Sequence, residues 1–449
     1  MTELDLARAQ MAMLFAFHIL FAVAGMGMPV LMVIAERAHL RTGHPVYLEL
    51  ARRWAKGTAV LFAVGAVSGT VLSFELGLLW PRFMSFAGGV IGLPFALEGF
   101  AFFTEAIFLG IYLYGWDRVS PRLHLASGVL VAIGGVLSGI FVVTANAWMN
   151  SPAGFTLVDG RPVDVSPLAA MLNPASATET IHMTLAAFAA SGFAVAGIHA
   201  FLLLRNRENF FHRKALEIAL AVGCAAAVLL PFSGDMNARF IARNQPVKLA
   251  ALEGQFETER GAPLRIGGIP DVASRTTRYA IEVPKGLSLL AYHDPDARVQ
   301  GLAAFPRDEW PAPVPVHLAF QTMVAGGMAM TLLSVAAAWL FWKKREGIFS
   351  RRFLIAVALC GPVGLLCVEA GWGVTEMGRQ PWVIRGVMRT AEAVTPVGSL
   401  LLPFAFFSLL YLGLGAASVW LLRREVAASP FFPGGGGDVA DPPDPEGIE

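Results

Sequence analysis

One apolar run of the chain ends in the stretch Gly371-Trp372-Gly373-Val374-Thr375-Glu376-Met377-Gly378-Arg379-Gln380-Pro381-Trp382. Trp372 and Glu376 are four residues apart, so they share one helix face about one turn from each other. Pro381 then stops the helix. A tryptophan belt with an anchoring arginine at a bilayer surface is the simpler interpretation. The other intramembrane polar residues fall at the same depth, however, and this favours a site.

The composition indicates a polytopic membrane protein. The chain has 449 residues, of which 55% are apolar and 15% are charged. This is far from the balance of soluble domains. The net charge of +1 gives no indication of nucleic-acid binding. Cys224, Cys360 and Cys367 all lie inside apolar runs without a CxxC pattern, so we interpret them as packing residues. The first apolar run is too long for the apolar region of a cleavable signal peptide.

Nine apolar runs are long enough to cross about 30 Å of hydrocarbon as helices, which predicts an all-α bundle of nine transmembrane helices. Lysine and arginine are concentrated in alternate connections, which places the N-terminus outside and the C-terminus in the cytoplasm. The expected location is a bacterial cytoplasmic (inner) membrane. The runs are 12–35, 57–79, 91–114, 125–147, 181–204, 215–233, 316–341, 354–376 and 398–422.

Two outer segments are long. Segment 148–180 contains an Asp-Gly turn between apolar flanks, which predicts a hairpin. Segment 234–315 keeps aromatic and apolar residues, so we expect an ordered extracytoplasmic loop. The predicted organisation is helices 1–6 in 1–233, the loop in 234–315, helices 7–9 in 316–424 and a disordered cytoplasmic tail in 425–449.

Polar side chains from five helices fall in the outer half of the predicted bilayer. Ionisable residues at this depth are costly and by default mark a site. A flat gap of small residues beside a His or Met suits a porphyrin plane. A His–Met pair gives a low-spin haem, whereas a lone His or Glu leaves the sixth iron position free for oxygen. Taken singly, a histidine or a methionine is more often a packing residue. The set comprises His18, Glu98, Glu105, His182, Met323, Trp372 and Glu376.

At this point the sequence resembles subunit I of the cytochrome bd-type quinol oxidases, from about Leu4 to Arg424. The combination of the last two segments below is the most specific part of the resemblance. The segments are Glu98-Gly99-Phe100-Ala101-Phe102-Phe103-Thr104-Glu105, Gly115-Trp116-Asp117-Arg118, Ala145-Asn146-Ala147-Trp148-Met149, Gln245-Pro246-Val247-Lys248-Leu249-Ala250-Ala251-Leu252-Glu253 and Gly378-Arg379-Gln380-Pro381-Trp382.

The resemblance implies three haems: a low-spin b, a high-spin b, and either a d or a third b. His182 and Met323 would be the axial ligands of the low-spin haem. His18 and Glu376 would each serve one high-spin haem, without an individual assignment. Trp372 would be an electron stepping point between haems. Arg379 and Gln321 are further expected cofactor contacts.

The resemblance also implies the substrate and proton residues. Ubiquinol or menaquinol would bind at the outer loop, where Lys248 and Glu253 would bind and deprotonate it, with Gln245 and Asp235 nearby. Glu98 would lie beside the oxygen-reducing haem. Glu105 would donate protons from the cytoplasm, with Asp117 near the entrance of the path.

The overall reaction implied is quinol oxidation at the outer face coupled to reduction of O2 to water, charging the membrane without proton pumping. The expected partners are a second membrane subunit, a further small single-helix subunit, and the lipid bilayer. One departure concerns Gln321, because many family members carry an arginine two residues before the methionine ligand. This glutamine resembles the cyanide-insensitive branch, which leaves open whether the oxygen-reducing haem is of the d or the b type.

Two other classes of protein fit part of the pattern. A haem-free secondary transporter could use Glu98, Glu105 and His18 as a proton relay, but it predicts inverted repeats, which the sequence does not show. A b-type quinone reductase would need pairs of histidine ligands on shared helices. The sequence instead offers one His–Met pair and two unpaired ligands.

Overall fold

The computed structural model describes residues 2–395 and 400–427, and within them nine helices are long and apolar enough to cross a membrane. The prediction of nine spans in an all-α bundle is therefore confirmed. The helices of the described residues are α1 Glu3–Thr42, α2 Pro45–Leu79, α3 Pro81–Tyr114, α4 Pro121–Asn150, α5 Pro167–Met171, α6 Ser176–Leu203, α7 Phe210–Asn244, α8 Pro246–Leu252, α9 Gly286–Tyr292, α10 Pro313–Lys343, α11 Arg351–Cys360, α12 Val363–Met377, α13 Thr390–Ala393 and α14 Leu401–Ala427.

Local sequence explains where many helices begin and end. Proline occupies the start of six of them, where its missing N–H would have no helical partner. The first helix ends at Gly43, which takes the left-handed conformation (φ 71°) and donates its N–H to His39 O. A side-chain cap starts α4, where Ser120 accepts from the N–H of Leu123.

The eighth span is broken into two helices. The sequence predicts one continuous run over 354–376, but α11 ends at Cys360 and α12 begins at Val363. Pro362 lacks the N–H that would continue the helix and its ring excludes the preceding turn. Gly361 also lies against α6, because a Cβ on Gly197 would come within 2.7 Å of the Gly361 Cα. The break therefore coincides with a close helix crossing.

The bundle packs around α1 and α6. The first helix contacts α2, α4, α6 and α14, while α6 packs on α7, α11 and α12. Glycines allow the closest approach of α6 and α7, since a Cβ on Gly192 would lie 2.5 Å from the Gly223 Cα. Small residues at such crossings are the usual means of packing helices in lipid.

The outer segments carry short antiparallel pairs of strands. The predicted hairpin of segment 148–180 is confirmed, with Asp159 and Gly160 forming its turn at positive φ. The strands of the described residues are β1 Thr156–Val158, β2 Arg161–Val163, β3 Glu259–Arg260, β4 Leu264–Ile266, β5 Ile269–Asp271, β6 Thr276–Arg278, β7 Ile281–Val283, β8 Arg298–Val299, β9 Trp382–Ile384 and β10 Met388–Arg389. They pair as β1–β2, β3–β8, β4–β7, β5–β6 and β9–β10.

The boundary predicted at residue 233 differs from the structure. Helix α7 continues to Asn244, so Asp235 lies on the helix and not in a loop. The apolar run ends near 233, but a polar helix can extend beyond it, and Asp235 pairs with Arg239 one turn later. At the other end of the loop, α10 begins at Pro313, three residues before the predicted start. Of the tail predicted at 425–449, residues 425–427 belong to α14, and 428–449 lie outside the described residues.

Candidate functional site

A cavity of about 250 Å³ lies where the start of α8 faces the segment after α12. Gln245 is buried there, and its Nε2 atom has no hydrogen-bond partner among the described residues. An unpaired buried donor costs free energy unless a ligand or water satisfies it. The cavity therefore suits a ligand with acceptor oxygen atoms. Its polar and aromatic lining residues include Gln245, Lys248, Glu309, Arg379, Trp382 and Arg385.

Lys248 brings a buried ammonium group to this cavity. The residue is 3% exposed, and its Nζ lies 3.5 Å from Asn150 Oδ1. Burial lowers the pKa of Lys248 to about 8; the carboxylate of Glu179 acts in the opposite direction, and the charge of Arg379 adds to the lowering. Lys248 therefore releases a proton more readily than an exposed lysine does.

Glu253 follows α8 directly and is also buried. Its Oε2 atom has no hydrogen-bond partner among the described residues. Burial raises the pKa of Glu253 to about 7, although the nearby charge of Arg265 opposes this effect. A carboxyl group with such a pKa can take up and release a proton near neutral pH. Glu253 does not line the cavity itself but lies five residues after Lys248.

Asp235, expected close to Lys248 and Glu253, has other partners. Its carboxylate pairs with Arg239 on the same helix and lies 4.0 Å from His293 Nε2. It is not among the residues that line the cavity. The structure thus brings Gln245 and Lys248 together at one cavity and does not bring Asp235 to it.

A chain of hydrogen bonds leads from Lys248 to Glu376. Asn150, which contacts Lys248, donates through Nδ2 to Asn146 Oδ1 over 3.3 Å. Asn146 in turn donates to Glu376 Oε1, and Arg379 donates to Glu376 Oε2. These hydrogen bonds join the outer loop to helices α4 and α12 through side chains that are far apart in the sequence.

Arg379 provides a test of whether an anionic cofactor group fits here. Its side chain is 2% exposed, but its Nε and Nη1 atoms have no hydrogen-bond partner among the described residues. A buried guanidinium with free donors next to Glu376 is the kind of partner that a carboxylate, such as a haem propionate, requires. The residues therefore fit a haem at this place.

His18 is held against α2. Its Nδ1 lies 2.9 Å from Ser68 Oγ, and a Cβ on Gly69 would lie 2.9 Å from its Cε1 atom. Tyr411 of α14 donates to Ser68 O over 3.1 Å. A metal-ligating histidine typically uses its second nitrogen for such a hydrogen bond, which fixes the ring orientation.

His182 and Met323 lie on helices that share the same two neighbours. His182 Nδ1 is 2.9 Å from Ser233 Oγ of α7, and a Cβ on Gly371 of α12 would lie 3.0 Å from Met323 Sδ. Both α6 and α10 pack on α7 and α12. A Cβ on Gly327, one turn after Met323, would meet nothing within 4 Å. A histidine nitrogen and a methionine sulfur are the donor types of a His–Met haem.

The two glutamates of α3 face α4. Ser138 donates to Glu98 Oε1 over 3.2 Å. Glu105 is buried, and its Oε1 faces Gly135 of α4 and Gly25 of α1, where added Cβ atoms would lie 3.4 and 3.8 Å away. Because glycine has no side chain, no side chain of Gly135 or Gly25 covers the Glu105 carboxylate where it faces α4 and α1.

Two further expected residues lie at the margins of these groups. The rings of Trp372 and Phe15 have centroids 5.6 Å apart, which joins α12 to α1. The side chain of Asp117 is 92% exposed and lies 3.8 Å from Arg52. Asp117 is therefore on the surface, as an entrance to a proton path requires.

Sequence reasoning missed several side chains that orient the candidate residues. Asn146 lies in a segment that carries the family resemblance, but the sequence alone assigned it no role. Asn150 lies one helical turn after it. Glu179 was detectable, because it is an acidic residue three positions before His182. No sequence pattern pointed to Ser68 or Ser233, because serine hydroxyls in apolar helices usually hydrogen-bond only to the backbone of their own helix.

Comparison with known proteins identifies the family. The protein-family model described as "Cytochrome bd terminal oxidase subunit I" matches residues 6–430 of this chain. A Bacillus subtilis protein described as a putative cytochrome bd menaquinol oxidase subunit I is 40% identical over 94% of this chain and 96% of its own length. A second B. subtilis protein, cytochrome bd ubiquinol oxidase subunit 1, is 34% identical over 95% of this chain and 94% of its own length. The solved bd oxidase of Geobacillus thermodenitrificans has a TM-score of 0.89 and 38% identity, covering 95% of this chain and 99% of that chain.

Fold and comparisons define a multi-pass subunit of a membrane-bound redox enzyme. The chain belongs to the cytochrome bd terminal oxidase subunit I family. Membership implies haem groups, a second subunit and a place in the bacterial inner membrane, as the resemblance had indicated. The transporter and quinone-reductase interpretations are therefore wrong.

Proposed function

We propose that this chain oxidises quinol beside α8 and passes the electrons to haems that reduce O2 to water. The chain is a subunit of a respiratory quinol oxidase. The observation that carries the site assignment is the buried Lys248, which lies at a cavity with free donors and is joined through Asn150 and Asn146 to Glu376. It supports a quinol site in hydrogen-bond contact with a haem pocket.

Quinol oxidation requires groups that bind the hydroxyl oxygens and accept their protons. Gln245 and Lys248 offer donors to a quinol oxygen. Glu253, with a pKa raised by burial to about 7, is the base that takes the proton and returns it to the outer solution. Asp235 has no part in this step, because its partners are Arg239 and His293.

Four residues would hold the haems. His182 and Met323 would hold the low-spin haem, and His18 and Glu376 would each serve a high-spin haem. Ser233 and Ser68 orient the two histidine rings, and Asn146 with Arg379 orients the Glu376 carboxylate. Haem, when bound, supplies the one-electron and oxygen chemistry. Trp372 of α12, whose ring packs on Phe15 of α1, would be a step on the electron path.

Protons for water formation would come from the opposite side of the membrane. Asp117 is at the surface with Arg52, and Glu105 and Glu98 lie on one face of α3 further in. The N-terminus is outside and the C-terminus is cytoplasmic in this arrangement. Because protons are released outside and consumed from inside, turnover charges the membrane without pumping.

The experiment that tests this function uses the enzyme purified with its second subunit. Oxygen consumption is measured with ubiquinol and menaquinol analogues, and a reduced-minus-oxidised spectrum is recorded alongside haem extraction. Quinol-dependent oxygen uptake supports the proposal, and its absence from a fully haem-loaded enzyme overturns it. A long-wavelength chlorin band identifies a haem d, and three b-type haems without that band identify the cyanide-insensitive form. The same preparation shows whether a small single-helix subunit co-purifies.

A further inference from the structure

His317 stands at the start of α10 and is completely buried. Its Nδ1 lies 2.7 Å from Leu252 O, and its Nε2 lies 3.1 Å from Gly267 O. One imidazole therefore lies within hydrogen-bond distance of backbone carbonyls from two parts of the loop that are distant in sequence.

Gln321 lies one turn after His317 on the same face of α10. Its Oε1 accepts from the N–H of Gly267 over 2.9 Å, and its Nε2 donates to Arg265 O over 3.0 Å. The two side chains together bind three backbone groups within residues 265–267. Both polar atoms of the Gln321 amide are therefore used by the loop.

Two of the residues bound by His317 and Gln321 are neighbours of Glu253, one along the chain and one through its charge. Leu252, whose carbonyl binds His317, is the residue directly before it. Arg265, whose carbonyl binds Gln321, carries the charge that acts on Glu253, and its guanidinium also contacts Gln255 and Glu282. Any movement of these backbone segments would shift both the carboxyl group and its neighbouring charge.

We infer that His317 and Gln321 form a clamp on α10 that positions Glu253 and Arg265 for quinol oxidation. The clamp rests on the proposed role of Glu253 as the base. It joins the loop to α10, the helix that carries Met323, so the proposed base is tethered to the helix of a proposed haem ligand. His317 and Gln321 act through the loop backbone and are positioning residues.

The test uses the complete two-subunit enzyme with the variants His317→Asn and Gln321→Leu. Each removes hydrogen bonds from one arm of the clamp. Thr322→Val is the matched control, because Thr322 is exposed and, among the described residues, its hydroxyl bonds only to Leu318 O of its own helix. Hydrogen exchange of residues 252–267, the quinol KM and kcat, and the low-spin haem spectrum are measured for each enzyme.

Both clamp variants should raise exchange in 252–267 and raise the quinol KM about tenfold, as expected for a lost buried hydrogen bond. The low-spin spectrum should stay unchanged, and Thr322→Val should behave like the wild type. Gln321→Glu keeps an acceptor for the Gly267 N–H and should restore protection at Gly267.

Three results would overturn the inference: unchanged exchange in both variants, raised exchange with an unchanged KM, or loss of the low-spin band while the loop stays protected. If the wild-type enzyme did not oxidise quinol, the proposed function would be wrong and not the clamp. In that case the exchange of 252–267 still decides whether the clamp exists.

Discussion

The side-chain amide of Asn146 donates to Glu376 Oε1, so α4 fixes one oxygen of a carboxylate that α12 carries. Arg379 holds the other oxygen. The carboxylate is thus held at both oxygens. If Glu376 serves a high-spin haem, its orientation and charge depend on both partners.

Asn146→Leu should therefore change the high-spin haem selectively. Loss of a hydrogen bond to a charged carboxylate is worth about 1.5–3 kcal/mol, and the carboxylate would rotate toward Arg379. We expect a shifted CO-difference spectrum with an unchanged low-spin band. Thr144→Val is the control on the same helix, since within the part of the chain that the structure describes its hydroxyl bonds only to Phe141 O. An unaltered CO-difference spectrum in Asn146→Leu would separate Glu376 from the gas-binding site.

Gly69→Ala should displace His18. The new Cβ would lie 2.9 Å from His18 Cε1, closer than real Cβ contacts, so the ring must move away from Ser68. The expected result is loss of one high-spin haem, measured by haem extraction and by the spectrum. Gly77→Ala on the same helix is the control, because a Cβ there meets nothing within 4 Å. A full haem complement in Gly69→Ala would remove His18 from the ligand set.

The helical architecture was predictable because length and hydropathy decide membrane spans. The sequence predicted all nine spans, but it did not predict where α7 ends or that the eighth span is broken before Val363. Hydropathy marks where a helix is apolar, not where its hydrogen bonds stop, and a Gly-Pro break depends on the helix that packs against it. The intramembrane candidates came from their depth in the predicted bilayer, whereas the loop residues and the individual roles came from the resemblance. Partners such as Asn146 and His317 act through contacts between distant segments, which a single sequence does not encode in any local pattern.

Met323→Leu should remove the sixth ligand of the low-spin haem. Leucine keeps the approximate volume against Gly371, so the fold should persist while the iron loses its sulfur ligand. The expected result is conversion of the low-spin band to a high-spin form, with electron entry blocked. Met330→Leu, a buried methionine two turns along the same helix, is the control. A low-spin spectrum that stays intact in Met323→Leu would assign the ligand elsewhere.

Glu253→Gln should abolish the pH dependence of quinol oxidation near neutrality. Burial raises the pKa of Glu253 to about 7, so the deprotonated base becomes populated only as the pH rises through that value. In the wild type, kcat/KM for quinol should therefore increase with pH across this range and then level off. The glutamine variant should lose most activity, about a hundredfold, and show no such limb. Glu253→Asp, which can still accept a proton, should retain the limb, and haem content should be unchanged in both.

Glu105→Gln should slow oxygen reduction without affecting quinol binding. Glu105 lies buried between α3, α4 and α1, far along the chain from the loop that holds Lys248 and Glu253, and glutamine keeps its shape but cannot release a proton. We expect a decrease in turnover of about a hundredfold with an unchanged quinol KM. Rapid mixing of the reduced enzyme with O2 locates the effect in the proton-coupled phases. Glu75→Gln is the matched control, because Glu75 is an equally buried intramembrane carboxyl that bonds to Gln10 and has no proposed role. Equal rates in Glu105→Gln and Glu75→Gln would place the proton path on other residues.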